Sequence, residues 1–212
     1  MSGEPVLYGA PYSVYVRAVR LTLAEKEIPY TLVPVDVFAP GGPPPEYLIR
    51  HPFGRIPSFE YRGFQLYEAG AIMRYVDEAF PGSALQPRSP ELRARANQVI
   101  SILDSYAYRT LVWDIFVERV SVPQRGHVSN EERIRDALPR AAMCLAAMEQ
   151  IMGAAPFLAG PTLTLADLHA APMFAYFITT PEAEQLLAHH PDLKRWWENM
   201  ANRPSMATTV VP

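Results

Sequence analysis

The chain has 212 residues, of which 49% are hydrophobic and 19% are charged, and its formal net charge at pH 7 is −3. This is the composition of a soluble globular protein, and its mildly acidic balance gives no reason to expect a nucleic acid or an anionic membrane as partner. No apolar run approaches the ~20 residues that a membrane-spanning helix needs, and we recognise no signal peptide in MSGEPVLYG.

The first 80 residues alternate between short strand patterns and helix patterns. Apolar residues recur at helical spacing between Ser13 and Lys26, and Arg62-Gly63 between two apolar runs signals a two-residue hairpin. The Pro-rich stretch APGGPPPEY indicates an irregular surface segment before a short helix. In chain order, the predicted elements are a strand at Val6–Tyr8, a helix at Ser13–Lys26, strands at 28–37, 56–61 and 64–68, and a helix at Glu68–Phe80.

The remainder of the chain has the periodicity of helices only. Pro, Gly and Ser cluster between Pro81 and Pro90, which is typical of a linker. We therefore predict an α/β domain at residues 1–81 followed by an all-α helical domain at 90–212. The predicted helices of the second domain are Ser89–Val122, Asn130–Met152, Thr164–Phe177 and Pro191–Ala201.

Cysteine and histidine usage gives no support for a disulfide framework or a metal centre. The single cysteine, Cys144, cannot form an internal disulfide and lies in an Ala/Met/Leu-rich stretch, where a buried thiol is expected. The five histidines are scattered, and the adjacent His189 and His190 point in different directions on a helix. We expect no metal site and a reducing, cytoplasmic setting.

The stretch TLTLADL predicts a helix start rather than a catalytic acid. Thr164 is a good N-cap residue, and Asp167 follows three positions later. In this spacing the two side chains bond each other's backbone amides, which satisfies groups that a helix start leaves open. We assign Asp167 a structural role.

Ser13 lies between the end of the first strand pattern and the start of the first helix pattern, in LYGAPYSVYVRAV. Judged from this pattern alone, its hydroxyl is more simply an N-cap than a catalytic group. Tyr8 and Tyr12 are neighbouring hydroxyl donors, and we place both first in the core or in a pocket wall.

Three motifs in order resemble the cytosolic glutathione transferase family over nearly the whole chain. They are HPFGRIPSFEYRGFQLYEAGAIMRYVDEAFPG (His51–Gly82), LAGPTLTLADL, and PDLKRWWENMANRPS (Pro191–Ser205). The start of the chain is similar to serine-type, phi- or theta-like members of a bacterial style, in which a Ser precedes an Arg by four residues. The resemblance implies a thioredoxin-like N-terminal domain with a mixed four-stranded sheet, followed by the all-α domain.

The resemblance implies that Ser13 is the catalytic residue and Arg17 the accompanying Arg. A transferase of this family must ionise the thiol of its co-substrate glutathione, whose free pKa near ~8.5 leaves only a few per cent as thiolate at neutral pH. A hydroxyl donor at a helix N-terminus stabilises the anion, and the thiolate then attacks an electrophile held beside it.

By the same resemblance, three residues frame glutathione itself. The Ile56-Pro57 bond is implied to be cis, so that the backbone N–H and C=O of Ile56 pair with the cysteinyl part of glutathione. Glu68 is implied to bind the ammonium of the γ-glutamyl end, and the backbone N–H of the next residue its carboxylate.

The chain departs from the family pattern at two points. Ala69 stands where the family has Ser or Thr, which removes a hydroxyl worth on the order of 1–3 kcal/mol. The segment Ala39–Tyr47 carries no cation, although phi-like members have His and Lys there for the glycyl carboxylate. Arg55 is the nearest replacement, and Arg50 and His51 are alternatives.

The resemblance also implies an electrophile pocket and a homodimer. The pocket would use Tyr12 and aromatic residues of the long helix, namely Tyr108, Trp113 and Phe116. The dimer interface would lie on the helices around 69–79 and 90–120. The expected partners are glutathione and a hydrophobic small molecule, without nucleic acid, membrane or metal.

Conjugation of glutathione to a hydrophobic electrophile is the first functional hypothesis. A glutathione-dependent peroxidase or dehalogenase on the same site is the second. The third is a non-catalytic binding protein with this fold, which the two departures favour and the retention of Ser13, Pro57 and Glu68 opposes.

Overall fold

The structure, a computed structural model, describes residues 3–210. These residues form two compact units, one made of residues 3–86 with 204–210 and the other of residues 87–203. The second predicted domain ran from 90 to 212, so residues 204–210 are grouped differently in the structure.

A four-stranded mixed sheet forms the centre of the first unit. Its order is β2-β1-β3-β4, with β1 parallel to β2 and antiparallel to β3, and with β3 antiparallel to β4. This arrangement confirms the predicted fold class for the N-terminal part. The strands are β1 (Val6–Tyr8), β2 (Thr31–Val33), β3 (Ser58–Tyr61) and β4 (Phe64–Tyr67).

The second strand is much shorter than the predicted span of residues 28–37. Pro29 and Pro34 flank it, and proline has no N–H to donate to a neighbouring strand. The predicted hairpin between β3 and β4 is confirmed. Its two turn residues, Arg62 and Gly63, both have positive φ angles, of 52° and 81°, as a type I′ turn requires.

Three helices pack with this sheet, and one glycine permits a close approach. The helices are α1 (Val14–Glu25), α2 (Pro45–Leu48) and α3 (Ala69–Ala79). A Cβ atom at Gly9 would lie 2.4 Å from a methyl group of Val16, so only glycine lets the end of β1 pass α1. Leu7, Val19 and Ile72 are fully buried in the core of this unit.

The second unit is entirely helical, as predicted. Its helices are α4 (Pro90–Ile102), a π-helical segment (Leu103–Ser121), α5 (Val122–Gln124), α6 (Glu131–Met152), α7 (Leu165–Phe177), α8 (Pro181–Leu187) and α9 (Pro191–Ala201). The predicted helix from Ser89 to Val122 is therefore continuous, but from Leu103 to Ser121 it is wound more widely. At the end of this segment the Val122 amide bonds the Val117 carbonyl, five residues back. Within residues 3–210, no helix combines the length and apolarity needed to cross a membrane.

Asp167 has the structural role that the sequence predicted. Its fully buried carboxylate accepts hydrogen bonds from the backbone amides of Leu158 and Thr164, both at 2.8 Å, and from the indole N–H of Trp196 at 2.9 Å. Burial raises the pKa of Asp167, and these donors oppose the rise. The side chain ties the start of α7 to α9.

The last helix, α10 (Pro204–Thr208), returns to the first unit and lies along α1. The buried Arg17 donates to the carbonyl of Met206 at 3.1 Å and to the hydroxyl of Thr209 at 3.3 Å. Arg20 donates to the carbonyl of Thr209 at 3.2 Å. Long-range bonds of this kind have no sequence signature, which explains why the grouping of this segment was not predicted.

Candidate active site

Ser13 is positioned by the end of β1 and the start of α1. Its backbone is extended (φ −76°, ψ 125°), and its Oγ accepts a hydrogen bond from the Val16 amide at 3.3 Å. That bond uses Oγ as an acceptor, so the hydroxyl proton stays available for an anion. The N-cap and the catalytic interpretations are therefore compatible in this geometry.

The neighbouring tyrosines each make another side-chain contact. Tyr12 donates its hydroxyl proton to Asp36 Oδ1 at 2.8 Å. Burial, and next the bond to Asp36, raise the pKa of Tyr12 far above its ordinary value. The ring of Tyr8 lies 4.2 Å from the guanidinium carbon of Arg50. The Tyr12 hydroxyl is thus already committed as a donor, whereas the bond from Val16 uses only the acceptor capacity of Ser13.

The backbone before β3 has the geometry that the resemblance implied. The Ile56-Pro57 bond is cis. The Arg55 carbonyl accepts a hydrogen bond of 2.7 Å from the hydroxyl of Tyr47, a buried residue of α2. Ile56 lies two residues before β3, outside its ladder, so its peptide groups are not consumed by strand pairing.

Glu68 adopts a backbone conformation that is rare for a residue with a side chain. Its φ is 72° and its ψ is 116°, and it is the N-cap residue of α3. Its carbonyl accepts from the amides of Ala71 and Ile72, both at 3.0 Å, while its side chain is exposed. The next residue, Ala69, is buried in the first turn, where helical amides lack intrahelical partners. A carboxylate and open amides thus lie together at a positive helix end.

The three candidate cations differ in how far each is already engaged. Arg50 forms an ion pair with Glu60 in addition to its contact with Tyr8. The His51 side chain is 1% exposed, and its Nδ1 has no hydrogen-bond partner in the described part of the chain. Arg55 is exposed and makes no ion pair within residues 3–210. Of the three candidates, Arg55 is therefore the cation most available to bind a carboxylate group of a ligand.

His51 lies within electrostatic reach of two predicted site residues. Burial lowers its pKa; the carboxylate of Glu68 opposes this shift, and the guanidinium of Arg55 adds to it. Its ring centroid is 4.8 Å from that of Tyr67. The sequence named His51 only as an alternative cation, but the structure makes it a buried neighbour of this region, with a lowered pKa.

The predicted pocket aromatics of the second unit form two ring pairs. Tyr108 and Trp113 pack edge to face with centroids 6.4 Å apart. Phe116 stacks on Tyr176 at 4.3 Å with an interplanar angle of 8°. The sequence analysis did not single out Tyr176, whose only signal is its place among the aromatics of FAYF.

A cavity of ≈490 Å³ on the second unit is unsuited to an apolar ligand. All of its lining residues are charged or carry an amide: Arg109, Asp114, Asn130, Glu132, Arg133, Asp136 and Arg140. Its buried acid, Asp114, already pairs with the three arginines. Within residues 3–210, no group of three or more His, Cys, Asp or Glu is arranged to hold a metal ion.

Two family models match the chain: the glutathione S-transferase N-terminal domain over residues 7–84 and the C-terminal domain over residues 106–204. Glutathione S-transferase F13 of Arabidopsis thaliana is 32% identical over 97% of each chain. The chain belongs to the glutathione S-transferase family. This result agrees with the serine-type resemblance, because the plant relatives are phi-class transferases.

Solved structures of glutathione S-transferases share the whole fold. Glutathione S-transferase III in its apo form has a TM-score of 0.86 at 28% identity and is matched over 95% of its chain, with 98% of this one covered. Glutathione S-transferase I, solved with lactoylglutathione, has a TM-score of 0.85 at 26% identity over 98% of both chains. Glutathione S-transferase I from maize has been solved in complex with an atrazine glutathione conjugate.

Proposed function

We propose that this glutathione S-transferase conjugates reduced glutathione to a hydrophobic electrophile through a thiolate that the Ser13 hydroxyl stabilises. The observation that carries the proposal is the geometry of Ser13, whose Oγ accepts from Val16 and keeps its own proton for the sulfur. The relatives bound to glutathione derivatives support the substrate class.

The chemistry requires little acid-base machinery. The thiol proton leaves to solvent, and the sulfur lone pair forms a C–S bond to the electrophile while the leaving group departs with its bonding electrons. Each unit by which the thiol pKa falls corresponds to about 1.4 kcal/mol of preferential stabilisation of the anion. Ser13 and the N-terminus of α1 supply this stabilisation, and binding supplies proximity.

In this proposal the first unit holds glutathione along its length. The backbone of Ile56, before the cis Pro57, pairs with the cysteinyl part. The Glu68 carboxylate takes the ammonium of the γ-glutamyl end, and the amide of Ala69 takes its carboxylate. The exposed Arg55 takes the glycyl carboxylate.

We propose an aromatic electrophile site to which the first unit contributes Tyr12. In the second unit, Tyr108, Trp113 and Phe116 stay the predicted pocket residues. Tyr12 adjoins Ser13 in sequence and, since its hydroxyl bonds Asp36, it offers its ring rather than its proton. Phe116 offers a ring whose orientation is fixed by stacking on Tyr176. Aromatic faces of this kind suit a bulky apolar second substrate.

The test is the ultraviolet absorbance of the glutathione thiolate on the protein, followed across pH together with conjugation rates. Ser13→Ala should raise the pKa of bound glutathione and lose most turnover, and Ser13→Thr should restore part of both. Ser89→Ala is the matched control, because Ser89 caps α4 in the same way, accepting from the Leu92 amide at 3.4 Å. That variant should lose a similar capping energy, about 1 kcal/mol, and keep the thiolate.

Three outcomes would contradict the proposal. Glutathione that binds without a shifted thiol pKa would indicate the non-catalytic binding protein. Equal loss of turnover in Ser13→Ala and Ser89→Ala would make Ser13 only a cap. A thiolate that forms but consumes peroxides or alkyl halides faster than aryl electrophiles would indicate the peroxidase or dehalogenase alternative.

Two further expectations belong to the same proposal. We propose a homodimer with an interface on α3 and on the helical region around 90–120. The exposed side chain of Phe64, whose ring centroid lies 5.0 Å from that of Tyr75 on α3, offers an apolar contact beside this interface. Light scattering over a dilution series tests it. A cytoplasmic location stays a prediction.

A further inference from the structure

Asp36 joins the two segments that leave the same end of the sheet beside Ser13. Strands β1 and β2 are parallel and adjacent, so the residues that follow them emerge side by side. Asp36 Oδ1 accepts a hydrogen bond from the hydroxyl of Tyr12 at 2.8 Å and another from the amide of Phe38 at 2.9 Å. One carboxylate oxygen therefore fixes a residue from each segment.

The result is a pair of aromatic rings beside the proposed nucleophile position. The ring centroids of Tyr12 and Phe38 are 5.7 Å apart and their planes differ by 31°. The Phe38 side chain is 62% exposed, so its ring is accessible to a ligand. Tyr12 directly precedes Ser13 in the chain, so this pair borders the place where the sulfur would be held.

The carboxylate that fixes the rings also brings a charge to their edge. Asp36 is exposed, and its hydrogen bonds from the Phe38 amide and then from Tyr12 lower its pKa, which favours the ionised carboxylate. A unit charge at about 4–6 Å acts on another charge even in water, although salt screens it. An aromatic surface with a fixed carboxylate at its edge therefore repels an anionic ligand and does not repel a neutral one.

We propose that Asp36 is a specificity-determining residue that selects uncharged aromatic electrophiles over anionic ones, by fixing the Tyr12–Phe38 ring pair and by its own negative charge. This inference rests on the proposed conjugation of glutathione. It names the class of electrophile that this side of the site accepts, and it adds Asp36 and Phe38 to the residues that contact or shape it.

The test compares two electrophiles of the same shape, 4-chloro-3,5-dinitrobenzamide and 4-chloro-3,5-dinitrobenzoate. The measured quantity is the ratio of their kcat/KM values at low salt, each corrected for the uncatalysed rate. Asp36→Asn keeps an oxygen that accepts both hydrogen bonds but removes the charge, and should lower the amide-to-carboxylate ratio about threefold to fivefold. The KM for glutathione should stay unchanged, and high salt should shrink the effect in the wild-type protein.

Two further variants separate the charge from the geometry. Asp36→Ala removes both hydrogen bonds and should also raise the KM for the amide severalfold, because the ring pair is no longer held. Glu27→Gln is the matched control: it removes one exposed charge before β2, at the end of the strand opposite Asp36, and should leave the ratio unchanged. An unaltered ratio in Asp36→Asn, or an equal change in Glu27→Gln, would overturn the inference.

A binding measurement keeps this result independent of turnover. The glutathione conjugates of the same two aryl groups are titrated into the wild-type protein and Asp36→Asn by calorimetry. If the wild-type protein binds the amide conjugate more tightly and Asp36→Asn does not, the inference is supported. This holds even if the wild-type protein conjugates nothing, because that result would count against the proposed function alone. Equal affinities in the wild type, or no binding, would refute the role of Asp36.

Discussion

Replacing Glu68 with glycine should stabilise the protein while weakening its hold on glutathione. The native φ of 72° with ψ of 116° lies outside the regions that residues with a Cβ populate freely. Such a conformation costs about 1–3 kcal/mol, and glycine removes that cost at the expense of about 0.5–1 kcal/mol of additional unfolded-state entropy. The expected net gain is up to about 2.5 kcal/mol, or several degrees in Tm for a chain of this size.

The loss of affinity follows from the proposed role of the side chain. The Glu68 carboxylate is exposed, so its removal breaks no buried contact. A charge-assisted hydrogen bond to the ammonium of glutathione is worth about 1–3 kcal/mol, which corresponds to a 5- to 150-fold rise in Kd. A gain in stability together with a loss of affinity is expected where a strained backbone conformation positions a side chain for ligand binding.

Calorimetric titration with glutathione and guanidinium unfolding in its absence give the two quantities. Glu68→Gln should lose affinity without gaining stability, because it keeps the strain. Glu27→Gly is the control at a second positive φ, of 55°, after α1: it should gain up to about 1 kcal/mol and bind glutathione normally. A Glu68→Gly protein that is less stable than the wild type, or that binds glutathione equally well, would refute the reasoning.

Three other outcomes are expected. Asp167→Ala should cost about 3–5 kcal/mol of unfolding free energy, since it strands several buried donors, whereas Asp167→Asn should cost less; equal, small losses would contradict this role. Burial depresses the pKa of His51, so the contribution of His51 to the free energy of unfolding is complete above about pH 6.5. It is lost as pH falls below that value, where the unfolded chain takes up a proton. His51→Asn should therefore flatten this part of the curve of stability against pH. Burial raises the pKa of the Cys144 thiol, so labelling by a disulfide reagent should be slow until denaturant opens the fold.

Local signals were sufficient wherever neighbouring residues decide the structure. The hairpin at Arg62-Gly63 and the Asp167 cap were predicted because the groups that satisfy each other lie within a few residues. The strand from residue 28 to 37 was predicted too long, although Pro29 and Pro34 carried the information that shortens it to Thr31–Val33. The helix from Ser89 to Val122 was predicted as an α-helix throughout, although Leu103–Ser121 is π-helical, since residue spacing does not distinguish the two windings over one segment.

The sequence by itself determined the order of the strands and of the longer helices, the family, and the residue types at the proposed site, because periodicity, caps and motifs are properties of contiguous residues. The short helices α8 and α10 were not predicted. Only the tertiary structure decided that the Tyr12 proton is committed to Asp36, that His51 is buried, and that Glu68 has a positive φ. It also decided that residues 204–210 return to α1. These features depend on contacts between distant residues, or on a backbone angle that the surrounding fold imposes.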